Sequence, residues 1–69
     1  MTGAQLKAIR QELQWTRERL ARLLGVSPVY VAQLERGTRL IGARTARRMR
    51  ILHIISRLAS AVRRLARGG

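Results

Sequence analysis

Residues Thr16 to Gly37 read TRERLARLLGVSPVYVAQLERG, and this stretch decides the fold. Leu20, Ala21 and Leu24 fall on one face of a first short helix. Gly25 stands where a residue of positive φ ends that helix. Val26 is an apolar plug in the turn. Ser27 is a good N-cap, and Pro28 takes the first helical position, where its missing N–H costs nothing. Val31 and Leu34 carry the buried face of a second helix, which Gly37 closes. A small Ala21, a turn Gly25 and apolar Val26, Val31 and Leu34 let two helices cross closely at a steep angle. The pattern predicts a helix-turn-helix over about residues 16–37.

The string Leu20-Ala21…Leu24-Gly25-Val26-Ser27…Val31…Leu34-Glu35-Arg36-Gly37 resembles the Cro/repressor (XRE-type) family of DNA-binding proteins. The resemblance runs from about Leu6 to Arg39 and weakens beyond. It implies an all-α, four- or five-helix repressor-like unit spanning residues 1–69, with the second motif helix lying in the major groove. The positions matching the family's base-reading face are Pro28, Val29 and Gln33. Only Gln33 has a two-pronged amide end, which suits adenine N6 and N7, whereas Pro28 and Val29 can press on a thymine methyl. The phosphate-facing set is Arg17, Ser27, Tyr30, Arg36, Thr38, Arg39 and Arg44. The family commonly has Gln where Arg17 stands. Tyr30 lies toward the helix flank, where it either donates to phosphate or packs over a neighbouring helix. So few polar base readers point to phosphate contacts and DNA shape. Arg10 and Glu35 match two positions that such repressors pair in a partly buried bridge.

Composition agrees with a polyanionic partner. The chain has 69 residues, 15 Lys plus Arg against 3 acidic residues, and a formal charge of +12. Fourteen of the fifteen cations are Arg, whose planar fork matches phosphate. Such a charge repels itself in a compact chain unless a polyanion neutralises it. With no cysteine, there is neither a disulfide nor a thiolate ligand, so helix packing or dimerisation must stabilise a small core. No metal or cofactor constellation and no nucleophile–base pattern can be drawn, so an enzyme is not expected. His53, the only histidine, reads as a surface residue. No signal peptide or membrane span is visible, which predicts a cytoplasmic, nucleoid-associated protein.

Ahead of the motif, Thr2-Gly3-Ala4-Gln5 has capping-box form, and Leu6, Ile9 and Leu13 repeat on one face. They predict a helix over about Gly3 to Leu13. The family usually carries Gly after that last Leu, but here the residue is Gln14. Either Gln14 accepts a left-handed backbone or the helix ends differently. Trp15 reads as a core residue. Thr16 caps the next helix, with Glu18 in its first turn, and Arg19 and Arg22 suit its solvated face.

Behind the motif, residues 43–67 contain no Gly, no Pro, no acid and eight arginines. Ile51, Ile54, Ile55, Leu58, Val62 and Leu65 share one face, whereas Ala46 and Met49 fall out of phase with them. This predicts one bent helix or two, changing face near Arg50 to Leu52. The early part completes the core. The later stripe either pairs two copies, with Ile55, Leu58 and Val62 central, or folds back as a fifth helix while the loop at Thr38 to Ile41 pairs them.

The expected function is a dimeric (auto)repressor occluding a pseudo-palindromic operator, with half-site centres about 34 Å apart. Its partners would be double-stranded DNA and a second copy, with no small-molecule substrate and no membrane. Phage Cro proteins, antitoxins and autorepressors of anti-CRISPR operons are similar in kind. Two rivals are a low-specificity nucleoid or RNA-binding protein and a basic amphipathic peptide on a membrane surface.

Overall fold

The computed structural model describes residues 1–68. It has four helices, α1 (Gly3–Glu12), α2 (Arg17–Leu24), α3 (Pro28–Arg36) and α4 (Ala43–Gly68), and no strand among those residues. Each of the first three helices begins with a side-chain cap. Thr2 Oγ1 accepts from Gln5 N at 3.1 Å while Gln5 Oε1 accepts from Thr2 N at 2.8 Å, closing the capping box. Thr16 Oγ1 accepts from Arg19 N, and Ser27 Oγ from Tyr30 N, each at 3.1 Å.

The same three helices end in one way. A left-handed residue stands directly after α2 and α3 and one position later after α1, and its amide and the next one fold back onto the last turn. Gly25 has φ 72° and Gly37 φ 81°, and Gln14 takes the equivalent place with φ 59°. Trp15 N donates to Arg10 O, Val26 N to Ala21 O and Thr38 N to Gln33 O, at 2.9–3.1 Å. Gln14 therefore accepts the left-handed backbone, and α1 stops at Glu12 with Leu13 as its cap. The side chain costs about 1–2 kcal/mol relative to an ordinary helical conformation.

The core is small. Leu6, Leu20, Ala21, Leu24, Val31, Leu34 and Met49 are buried together, with Ile9, Trp15, Val26, Tyr30, Ile41 and Leu52 packed around them. Trp15 thus belongs to the core margin, and the Arg19 guanidinium lies 5.5 Å from its ring centre. Gly3 sits where α1 meets the end of α3. A Cβ there would fall 2.3 Å from Leu34 O and 2.6 Å from Glu35 O, so glycine permits the contact.

The segment after the motif is one continuous helix of 26 residues, not two. The change of face arises because only its first part touches the core. Ala46 and Met49 are its buried residues, whereas Ile51, Ile54, Ile55, Leu58, Val62 and Leu65 are 48–78% exposed. The stripe does not fold back over its own core. The unit is accordingly elongated, 46 × 21 × 19 Å.

Two substitutions with opposite signs check this account. Gln14→Gly should stabilise the fold by about 1 kcal/mol by removing left-handed strain. Gly3→Ala should destabilise it by about 1–3 kcal/mol, because backbone rather than a flexible side chain must give way. Urea unfolding of both variants measures the pair, and similar effects would contradict the α1 geometry.

Candidate nucleic-acid interface

The outward face of α3 carries Pro28, Val29, Ala32, Gln33 and Arg36, spaced by three and four residues. Pro28, Val29 and Arg36 are exposed, Val29 to 67%. Val31 and Leu34 hold the opposite face in the core. The Ser27 cap fixes the N-terminal end and Gly37 the C-terminal end, so this face is presented by a short, closed helix.

At its C-terminal end the side chains are already organised. Arg39 Nε donates to Gln33 Oε1 at 2.8 Å, and its guanidinium lies 5.3 Å from the Tyr30 ring centre. Thr38 Oγ1 donates to Gln33 O at 3.1 Å. Tyr30 packs at the margin of the core while supporting Arg39 with its ring. Gln33 is half-buried, and one lone pair of its oxygen is occupied. The expected free two-pronged amide is therefore a positioned one, whose NH2 group remains the open donor. The Arg39–Gln33 bond was not anticipated, because nothing in the spacing of six residues across a turn signals it.

Arg44 is exposed on the first turn of α4. Arg17 is engaged differently from expectation, since its Nε donates to Glu35 Oε1 at 3.1 Å while the side chain stays 43% exposed. Ser27 keeps its hydroxyl hydrogen free while its oxygen caps α3.

Behind this face lies a charge cluster that fixes α1, α2 and α3 to each other. Arg10 Nε donates to Glu35 Oε2 at 2.6 Å and Arg10 Nη2 to Glu35 Oε1 at 3.3 Å. Arg10 Nη1 donates to Trp15 O at 2.8 Å. The Glu35 side chain is 2% exposed and that of Arg10 12%. Burial by itself pushes the Glu35 carboxyl upward, but hydrogen bonds and charge from Arg10 and Arg17 outweigh it. The carboxyl is held below its ordinary 4.5.

Two further contacts seat α4. Arg48 Nη1 donates to Leu24 O at 3.2 Å, satisfying a carbonyl in the last turn of α2. His53 Nε2 contacts Glu12 Oε2, so this histidine is half-buried against α1 rather than a free surface residue. Neither was legible in the sequence, because their partners lie 24 and 41 positions away. No group of potential metal ligands occurs among the described residues.

A family model described as helix-turn-helix matches residues 6–51, two thirds of the chain. The chain belongs to the helix-turn-helix family of Cro/XRE type. The motif spans α2 and α3, and the matched region ends as α4 leaves the core. This family consists of DNA-binding regulatory domains. No curated protein and no solved structure matches the chain. No helix among the described residues is long and apolar enough to cross a membrane.

The buried cluster yields a double-mutant test. Arg10→Met should destabilise the domain by about 3 kcal/mol, because a desolvated carboxylate keeps only Arg17. Combining it with Glu35→Leu should recover much of that loss. The lowered folded-state pKa also fixes a sign. Stability from Glu35 is complete above about pH 4.5 and is lost as pH falls through the depressed value. Urea unfolding between pH 7 and 3 should show that loss in the wild type and a smaller one in Glu35→Gln.

Proposed function

We propose that this protein is a sequence-specific, double-stranded-DNA-binding transcriptional repressor that acts as a homodimer on a pseudo-palindromic operator. The observation carrying this reading is the outward face of α3, solvent-exposed, closed at both ends and flanked by Arg36 and Arg39. Insertion of that helix into a major groove puts Pro28 and Val29 against base edges and offers the Gln33 NH2 group as a donor. Ser27, Tyr30, Arg36, Thr38, Arg39 and Arg44 then face the flanking phosphates, with Arg17 shared between phosphate and Glu35. A net charge of +12 supports the same partner.

Base reading at Gln33 is set jointly with Arg39. With its oxygen held by Arg39, Gln33 favours an acceptor edge such as a purine N7, rather than the full adenine pair. Repression is by occlusion, since a dimer covering adjacent major grooves excludes polymerase. The protein works at the nucleoid, in the cytoplasm. Regulation of its own promoter is the simplest use, and no catalytic step or cofactor enters.

Selection of bound sites from random duplex DNA tests the reading. The expected outcome is a two-fold-symmetric consensus, and equal competition by random duplex would establish low-specificity binding instead. If about four phosphates are neutralised per subunit, the dimer should show a log–log salt slope near −7. Gln33→Ala should weaken the selected site by roughly 1–3 kcal/mol and leave random DNA almost untouched. Arg39→Ala should weaken both and also alter the base preference at the Gln33 position. A purely uniform loss would show that the Arg39–Gln33 bond has no part in reading.

A further inference from the structure

The second half of α4 is amphipathic in the wrong sense for a monomer. Its inner line runs Met49, His53, Ser56 and Ser60, at spacings of four, three and four. Along that line the residues change from a buried methionine to half-buried polar side chains. An open cleft of about 470 Å³ lies between Ser56, Ser60 and the α1 end at Glu12 and Leu13. From Leu58 onward the apolar line lies on the far side, while Ile51 and Ile55 sit at its flank, Ile55 also lining that cleft and Ile51 bordering Leu23 and Leu52. It runs Ile51, Ile55, Leu58, Val62 and Leu65, at spacings of four, three, four and three. This is the a/d seam of a coiled coil, with β-branched Ile55 and Val62 at a and Leu58 and Leu65 at d. The positions beside the seam are Ile54, Ala59, Ala61 and Ala66, so no arginine borders it from Ile54 onward. Arg57, Arg63, Arg64 and Arg67 all fall on the outer positions.

We propose that this seam pairs with the same seam of a second copy, as an antiparallel helix pair centred near Leu58. The seam is self-complementary, as a two-fold interface requires. The five seam residues and the adjoining Ile54 are 48–78% exposed, on the order of 100 Å² each, so two copies together offer on the order of 1,200 Å² of apolar surface, the lower edge of what a stable specific interface buries. Charge selects the antiparallel sense. Toward its N-terminus the seam runs into Arg44, Arg47 and Arg48. A parallel pair in register brings these arginines face to face. The antiparallel pair separates them by roughly 30–42 Å along the axis, at about 1.5 Å per residue. That is several Debye lengths at physiological salt. It also places the two helix-turn-helix units toward opposite ends of the pair, since the motif precedes the N-terminal end of α4. This deepens the reading of a dimeric DNA-binding regulator and rests on it only for the use of the pair, not for the pairing.

Sedimentation equilibrium of the full chain at micromolar concentration, without DNA, is the first test. The wild type should be a dimer, and a monomer overturns the proposal. Leu58→Asp should be monomeric with unchanged helical circular dichroism, and a variant that stays dimeric overturns it. Val62→Gln, which keeps an uncharged helix former, should weaken dimerisation at least tenfold should Leu58→Asp lose structure. Spin labels on Arg57→Cys and Arg67→Cys decide the sense. At about 1.5 Å per residue, copies paired antiparallel about Leu58 are offset along the axis by about 3 Å at 57 and about 27 Å at 67, so the distance should be at least about 10 Å longer at 67. Distances that differ by less than about 5 Å establish a parallel pair and overturn the antiparallel one. A wild-type dimer that fails to select a DNA site leaves the pairing standing and removes the regulatory reading. A monomer that selects an asymmetric site does the reverse.

Discussion

The structure depends on one nearly inaccessible carboxylate. Glu35 sits near the end of α3, where α1 and α2 converge, and receives Arg10 from the one and Arg17 from the other. In a core of eight buried apolar residues among those described, apolar contacts alone leave helix orientation loosely specified. A desolvated carboxylate tolerates few arrangements, because any displacement leaves it unpaired. Arg10 also binds Trp15 O, so the same guanidinium pins the turn that Gln14 closes. The outward face of α3 is held from behind by charge as well as by Val31 and Leu34.

Charge is used in three ways. Arg10 and Arg48 are structural, one balancing Glu35 and the other satisfying Leu24 O. Arg39 has two interactions at once, with Gln33 and with the Tyr30 ring, and remains exposed. Arg57, Arg63, Arg64 and Arg67 lie off the apolar seam of α4, so from Arg57 onward charge does not interrupt that seam. With Arg57 onward kept away from α3, the total charge overstates the number of cations at the proposed groove.

α4 serves two surfaces in succession. Ala46 and Met49 complete the core within the region matched to the family, and Arg48 and His53 fasten the helix to α2 and α1. Beyond Leu52 the inner line becomes polar and the apolar line turns outward. A single straight helix produces this because its periodicity is continuous while the neighbouring core stops. The same helix is thus intramolecular at one end and available for a partner at the other.

The amino-acid sequence by itself determined the local elements. Thr2, Thr16 and Ser27 as caps, Gly25 and Gly37 as left-handed ends, and the crossing of α2 and α3 all follow from interactions within a few residues. It also named the Arg10 and Glu35 positions, through family resemblance rather than spacing. The tertiary structure alone decided the rest. That Gln14 accepts positive φ depends on the contacts of Arg10 and Trp15. That residues 43–68 form one helix depends on where the core ends. The bonds of Arg39 to Gln33, Arg48 to Leu24 O and His53 to Glu12 depend on the relative placement of whole elements. Short-range preferences are written in neighbouring residues, whereas the partner of a long, flexible charged side chain is fixed only once packing has set the distances.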